Sequence, residues 1–228
     1  MSGSSGRPIV VVGFGGMGHE TCWIAGRCGI DVAGFLDDDP ACAGKRYGAA
    51  RVLGTVSDWR RYAECSFVIA VGDPAVRKTI RDAMISAGES GEHSTGGPAF
   101  ATLIDPAAAV DPSHAAVGEG SVIGPNTTAT TGVTIGAHCI VNGGAFIGHD
   151  VSVGDFCMIA ALAGIGGNVA LEPLVWVGQS ASIRQGLRVG RGAVLGMGAV
   201  LTRSVPAGEV WAGNPAGPIR GGRKNAYA

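Results

Sequence analysis

From Val117 the sequence keeps a six-residue beat. Val117, Ile123, Ala129, Ile135, Val141, Ile147, Val153, Ile159, Ile165, Leu171, Val177, Ile183, Val189, Leu195 and Leu201 follow one another at that interval without an insertion. The next residue is glycine at nine of those fifteen steps, among them Gly118, Gly136, Gly148, Gly166 and Gly190. The residue two places before is usually small or apolar, as at Val133, Cys139, Ala145, Val151, Cys157 and Ala163. An unbroken phase of this kind is the hexapeptide period of a parallel β-helix.

Each hexad supplies one short strand and one turn, with the aliphatic residue pointing into a narrow prism. The glycine beside it serves where a Cβ would clash or where φ must be positive. Three hexads make a coil, so the repeat predicts about five coils, each unable to bury its own face without its neighbours. Residues one coil apart are then stacked, about 4.8 Å from rung to rung. On that ruler Cys139 lies under Cys157, and an internal ladder of small buried residues is preferred to a redox pair.

Composition agrees. Glycine supplies 40 of 228 residues and hydrophobic residues 46%, which excludes a disordered or linker-like chain. No Gly-X-Y period marks a collagen. A net charge of −1 gives no electrostatic case for binding nucleic acid or an anionic membrane. No apolar run is long enough for a transmembrane helix. The start, Met1 to Arg7, reads as a flexible leader rather than an export signal. The six cysteines show no C-x-x-C spacing, so the expectation is free thiols in the cytoplasm.

The first half alternates strands and helices. Ile9–Val12 is a short apolar run that ends in Gly13-Phe14-Gly15-Gly16-Met17-Gly18, a G-x-G-x-x-G. A helix from about His19 to Cys28 follows, then a strand over Val32–Leu36 ending in Asp37-Asp38-Asp39. Ser66–Val71 is a further strand, followed by Gly72 and a helix from about Ala75 to Ala87. This pattern predicts a small Rossmann-like parallel sheet of three or four strands. Glycine turns before a helix N-terminus admit a phosphate, and an acidic cluster about 20 residues on suits a ribose or base. A nucleotide-containing ligand is favoured over NAD(P) and over glycines that only pack. Glu89 to Pro98 reads as the link, and Phe100 to Ile104 as a last strand or first rung. The expected domains are 7–98, nucleotide-binding, and 99–228, the β-helix.

Within the repeat, His149 and Asp150 break the hexad logic. A histidine can act as a general base near neutral pH, and an adjacent carboxylate can fix its tautomer. One coil on stands Gly167, leaving a slot over the imidazole; Thr131 lies one coil below. The alternative is a solvated surface histidine. His114 and His138 show no ligand-pair spacing with His149, so no metal is expected. Arg184, Arg188, Arg191 and Arg203 read either as phosphate contacts or as a solvated face.

These segments together resemble the NeuD/PglD-type sugar acetyltransferases over about residues 8 to 219. The resemblance is carried by Val12-Gly13-Phe14-Gly15-Gly16, Gly34-Phe35-Leu36-Asp37-Asp38, Ala70-Val71-Gly72-Asp73 with Arg77, Asn142 to Asp150 (NGGAFIGHD), Gly167-Asn168-Val169 and Val210-Trp211-Ala212-Gly213-Asn214-Pro215. It implies a left-handed β-helix, a homotrimer and acetyl-CoA as acyl donor. It makes His149 the general base and Asp150 its supporting carboxylate, with Asn142 close by. It places Met158, Gly167, Gln179 and Met197 at the coenzyme, and Gly15, Gly16, Asp37, Asp38 and Gly72 at the nucleotide of a nucleotide-linked sugar. Met17, Met158 and Asp105 stand where the family usually carries histidine, so the sugar, nucleotide or acyl group is expected to differ from the best-known members. The expected activity is acetyl transfer to an amino or hydroxyl group of such a sugar, by direct attack. A sialic-acid-like acceptor, another small acceptor and a noncatalytic nucleotide-sugar scaffold are the alternatives.

Overall fold

The computed structural model describes residues 6–89 and 97–219. The first five residues of the expected leader, His93 and most of the expected link lie outside them. The chain divides into two compact units, Met1–Leu103 and Ile104–Ala228, with the boundary inside the strand Leu103–Ile104.

The first unit is a five-stranded sheet with two helices. Its strands are β1 (Ile9–Val12), β2 (Val32–Leu36), β3 (Arg46–Tyr47), β4 (Ala50–Gly54) and β5 (Ser66–Ile69), in the order β3-β4-β2-β1-β5. All pairs are parallel except the β3–β4 hairpin. Two of these strands exceed the sequence reading. β4 alternates buried Val52 with exposed Arg51, and its short polar surroundings hid it. Helix α1 (Gly16–Arg27) starts inside the glycine motif, three residues before the expected position. Gly18 permits this, since a Cβ there would lie 2.0 Å from the Gly13 carbonyl oxygen. Helix α2 (Pro74–Glu89) is capped by Asp73, whose Oδ1 accepts from the N–H groups of Ala75 and Val76. Phe100 bridges to Phe67 on β5, while Leu103–Ile104 joins the repeat, so the stretch expected as one element is two.

The second unit is a prism with three parallel faces. Face I runs through Val122–Ile123, Ile140–Val141, Met158–Ile159, Trp176–Val177 and Val194–Leu195. Face II contains Thr128–Ala129, Phe146–Ile147, Gly164–Ile165, Ser182–Ile183 and Val200–Leu201. Face III contains Val133–Ile135, Ser152–Val153, Ala170–Leu171 and Arg188–Val189. The chain visits I, II and III in turn, and the hexad aliphatics line the buried interior. Pairing partners are 18 residues apart, as with Ile147 and Ile165. The first coil is one residue longer, since Val110 pairs with Ala129, and the last is two shorter, since Leu195 pairs with Trp211. Those two length changes hid the terminal rungs from a fixed-phase reading.

The two glycine roles left open by the sequence separate cleanly. After an inward aliphatic, the glycine makes room for the next rung: a Cβ on Gly154 would lie 2.5 Å from Pro173 N, and one on Gly190 2.4 Å from Ala207 N. Positive φ occurs two residues later, at each corner position from Gly120 to Gly198. Eight corners are not glycine: Asn126, His138, Asp150, Phe156, Leu162, Asn168, Leu174 and Ser180. Cys139 and Cys157 are both fully buried, and their thiols donate to the carbonyls of Gly154 and Glu172, which fits the structural ladder.

Candidate functional site

His149 and Asp150 occupy the turn between Phe146–Ile147 on face II and Ser152–Val153 on face III. Inward Ile147 and Val151 anchor the turn, leaving the two polar side chains 60% and 61% exposed. Asp150 takes the left-handed corner conformation, φ 58°. Its Oδ2 lies 2.9 Å from His149 Nδ1. With Nδ1–H donating to the carboxylate, the Nε2 lone pair is left for a substrate proton. So exposed a pair adds little to stability.

Two glycines hold the space around this dyad. A Cβ on Gly167, one rung up, would fall 2.5 Å from His149 Nε2 and 2.7 Å from Cε1. The slot inferred from the sequence is therefore taken by the imidazole itself, which lies across the missing side chain. On the other side, a Cβ on Gly132 would fall 2.5 Å from Asp150 Oδ1. Gly132 escaped the sequence reading, although it lies one coil below Asp150 and the same ruler reaches it.

The other expected residues fall at a different corner. Asn142 follows Ile140–Val141 on face I, and Gln179 follows Trp176–Val177, so both sit in the turn from face I to face II. Met197 is at the same corner one rung above Gln179 and is 80% exposed. Met158 is buried, on face I beside inward Ile159. The basic run forms no single patch: Arg188 binds Glu172, Arg203 lies over the Trp211 ring, and Arg184 is exposed. Hydrogen bonds from Arg191 N–H and Arg188 hold the Glu172 carboxyl below its usual range.

In the first unit, Gly15 and Gly16 follow β1, Asp37 and Asp38 follow β2, and Gly72 follows β5. These strands are neighbours, so the three loops meet at the carboxyl edge of the sheet, where open α/β sheets bind ligands. Gly15 and Gly16 border open space, and the α1 N-terminus carries no side-chain cap, which leaves its N–H groups for an anion. Asp37 is already engaged: Oδ2 accepts from Phe14 N–H at 2.7 Å and Oδ1 from Asp39 N–H at 2.8 Å. Asp38 Oδ1 accepts from Val56 N–H at 2.8 Å. Both line a cleft of about 280 Å³ with Pro40, Ala43, Gly54 and Thr55. Buried Arg77 donates to the carbonyls of Val71 and Gly72 and so shapes the loop after β5. Of the histidine replacements, Met17 is half-buried on α1, and Asp105 is buried with its Oδ1 accepting from Ala107 N–H. Among the described residues no cluster of three or more His, Cys, Asp or Glu side chains is placed to hold a metal, and no helix is long and apolar enough to cross a membrane.

Both halves of the chain resemble known proteins. Residues 8–84 match the PglD N-terminal domain, and residues 115–149 and 175–203 match the hexapeptide repeat of succinyl-transferase. GDP-perosamine N-acetyltransferase of Escherichia coli O157:H7 is 31% identical over 222 residues, covering 90% of this chain and 93% of that protein. The acetyltransferase domain of PglB from Neisseria gonorrhoeae FA1090, solved in complex with acetyl coenzyme A, is 30% identical with a TM-score of 0.83, over 94% of this chain and 100% of that one. PerB from Caulobacter crescentus, solved in complex with CoA and GDP-perosamine, is 26% identical with a TM-score of 0.80, over 96% and 100% of the two chains. A Rossmann-like unit followed by a left-handed β-helix, matched at this identity over nearly its whole length, makes the chain a member of the NeuD/PglD-type sugar acetyltransferases.

Proposed function

We propose that the protein transfers an acetyl group from acetyl-CoA to the amino group of a nucleotide-linked sugar, in the cytoplasm. The observation that carries the reading is the dyad: an exposed imidazole with Asp150 on Nδ1, which leaves Nε2 as the proton acceptor. His149 Nε2 takes a proton from the acceptor amine as its nitrogen forms a bond to the thioester carbonyl carbon. The tetrahedral oxyanion accepts hydrogen bonds from backbone N–H groups. Its collapse breaks the carbon–sulfur bond, and the departing thiolate receives the proton from His149, giving the N-acetyl sugar and free CoA. No acyl-enzyme forms, because among the described residues no serine or cysteine is hydrogen-bonded to the His149 imidazole to be activated by it. The nucleotide is held by Gly15, Gly16, Asp37, Asp38 and Gly72, with Asp37 also tying the glycine loop to β2.

Asn142, Met158, Gln179 and Met197, with Gly167, are the coenzyme and acceptor contacts of this reading. Gln179 and Met197 share a corner that His149 does not, which supports a coenzyme that bridges two chains and a homotrimer as the working form. The exposed apolar side chains of Phe146, Leu162 and Met197 support that assembly. The test is thiol release from acetyl-CoA with UDP-, GDP- and dTDP-linked 4-amino sugars, for wild type and His149→Ala. Release that needs one acceptor and His149 supports the reading. Binding of a nucleotide sugar without turnover would favour the scaffold, and release with a sugar hydroxyl would make the enzyme an O-acetyltransferase.

A further inference from the structure

We propose that Gly132 is a positioning residue for the dyad: its missing side chain is what lets the Asp150 carboxylate rest on His149 Nδ1. This rests on the dyad being the acid–base pair of the proposed reaction. Asp150 Oδ1 lies 2.5 Å from where a Gly132 Cβ would be, inside van der Waals contact, while Oδ2 contacts the imidazole. The two oxygens of a carboxylate turn together, so the rotation that clears Oδ1 from a Cβ also shifts Oδ2 against Nδ1 and loosens that contact. The Asp150 backbone is held on its rung, its N–H donating to Thr131 O at 2.9 Å. On the far side, Gly167 leaves the imidazole its place. The dyad is thus seated between two absent side chains, one per rung, and only the upper one belongs to the residues expected at the coenzyme.

Gly132 also has a positive φ, 70°, so Gly132→Ala carries a backbone penalty of its own. Gly186 separates the two effects. It sits at the same corner three rungs up, has φ 74°, and a Cβ there meets nothing within 4 Å. Gly186→Ala therefore carries the backbone penalty without the collision.

The experiment compares wild type, Gly132→Ala, Gly186→Ala and Asp150→Ala in the full chain. The first readout is the imidazole ¹⁵N spectrum of His149 in its neutral form. Wild type and Gly186→Ala are expected to show the tautomer with the proton on Nδ1, and Gly132→Ala to show the same mixture as Asp150→Ala. The second readout is thiol release, where Gly132→Ala should lose about ten- to a hundredfold in kcat with Gly186→Ala near wild type. In the Asp150→Ala background, Gly132→Ala should cost nothing further. A Gly132→Ala spectrum like wild type, or an undiminished loss in the Asp150→Ala background, overturns the proposal. If the wild type releases no thiol with any acceptor, the proposed reaction fails, and the spectra still decide the positioning claim.

Discussion

At the scale of single residues, the dyad is governed by what its neighbours lack. Gly167→Ala is the sharpest probe of this, because Gly167 does not have a positive φ and the substitution adds only a methyl against the imidazole. Its expected outcome is a kcat lowered by about tenfold or more with an unchanged melting temperature, measured by thiol release and calorimetry. The adjacent His149 and Asp150 were legible in the sequence because polar residues interrupt a strict aliphatic period. The sequence also offered the adjacent carboxylate as the group that fixes the tautomer; what it did not show is the left-handed corner from which Asp150 reaches Nδ1. The engagement of Asp37 by the Phe14 N–H was also hidden, because it joins residues on two different loops.

At the scale of elements, the rungs are spaced too closely for a Cβ at the glycines that follow the inward aliphatics. Gly154→Ala and Gly190→Ala should each destabilise the prism by about 1–3 kcal/mol through overpacking against backbone that has no room to move. Urea unfolding of each variant checks this. In the first unit, Asp58 closes the turn after β4: its Oδ2 accepts from Thr55 N–H and hydroxyl, and these bonds hold its carboxyl below the usual value of 3.8. A lowered folded pKa means stability present above that value and lost as the carboxylate protonates below it. Asp58→Asn should therefore weaken the fold at neutral pH and make no difference in strong acid, as compared by denaturant midpoints at the two pH values. The period made the prism readable, while β4 was missed because its alternation of buried Ala50 and Val52 about exposed Arg51 is too short to stand out.

At the scale of the whole molecule, the corner that holds His149 and the corner that holds Gln179 and Met197 are distinct turns of one prism. If the coenzyme lies between copies, inactive subunits of two kinds should rescue each other. Co-expressed His149→Ala and Met197→Asp chains are expected to regain about a quarter of wild-type sites, since one interface pairing in four joins two intact halves. Thiol release by the mixed assembly, against each parent alone, measures it. Activity no greater than the parents' would place the coenzyme within one chain.

A ladder of parallel rungs has no natural last rung, and an uncovered one offers its backbone to any extended segment as a fibril tip does. Here Val210–Gly213 pairs onto Leu195 in the parallel sense, and Ala216–Pro218 then folds back against it antiparallel. Trp211 fills the bore beneath, with the Arg203 guanidinium over its ring. The reversal of strand direction gives an arriving chain the wrong hydrogen-bond pattern to continue the stack. The hairpin thus acts as a terminator for the ladder of that face, where the next parallel rung would otherwise add.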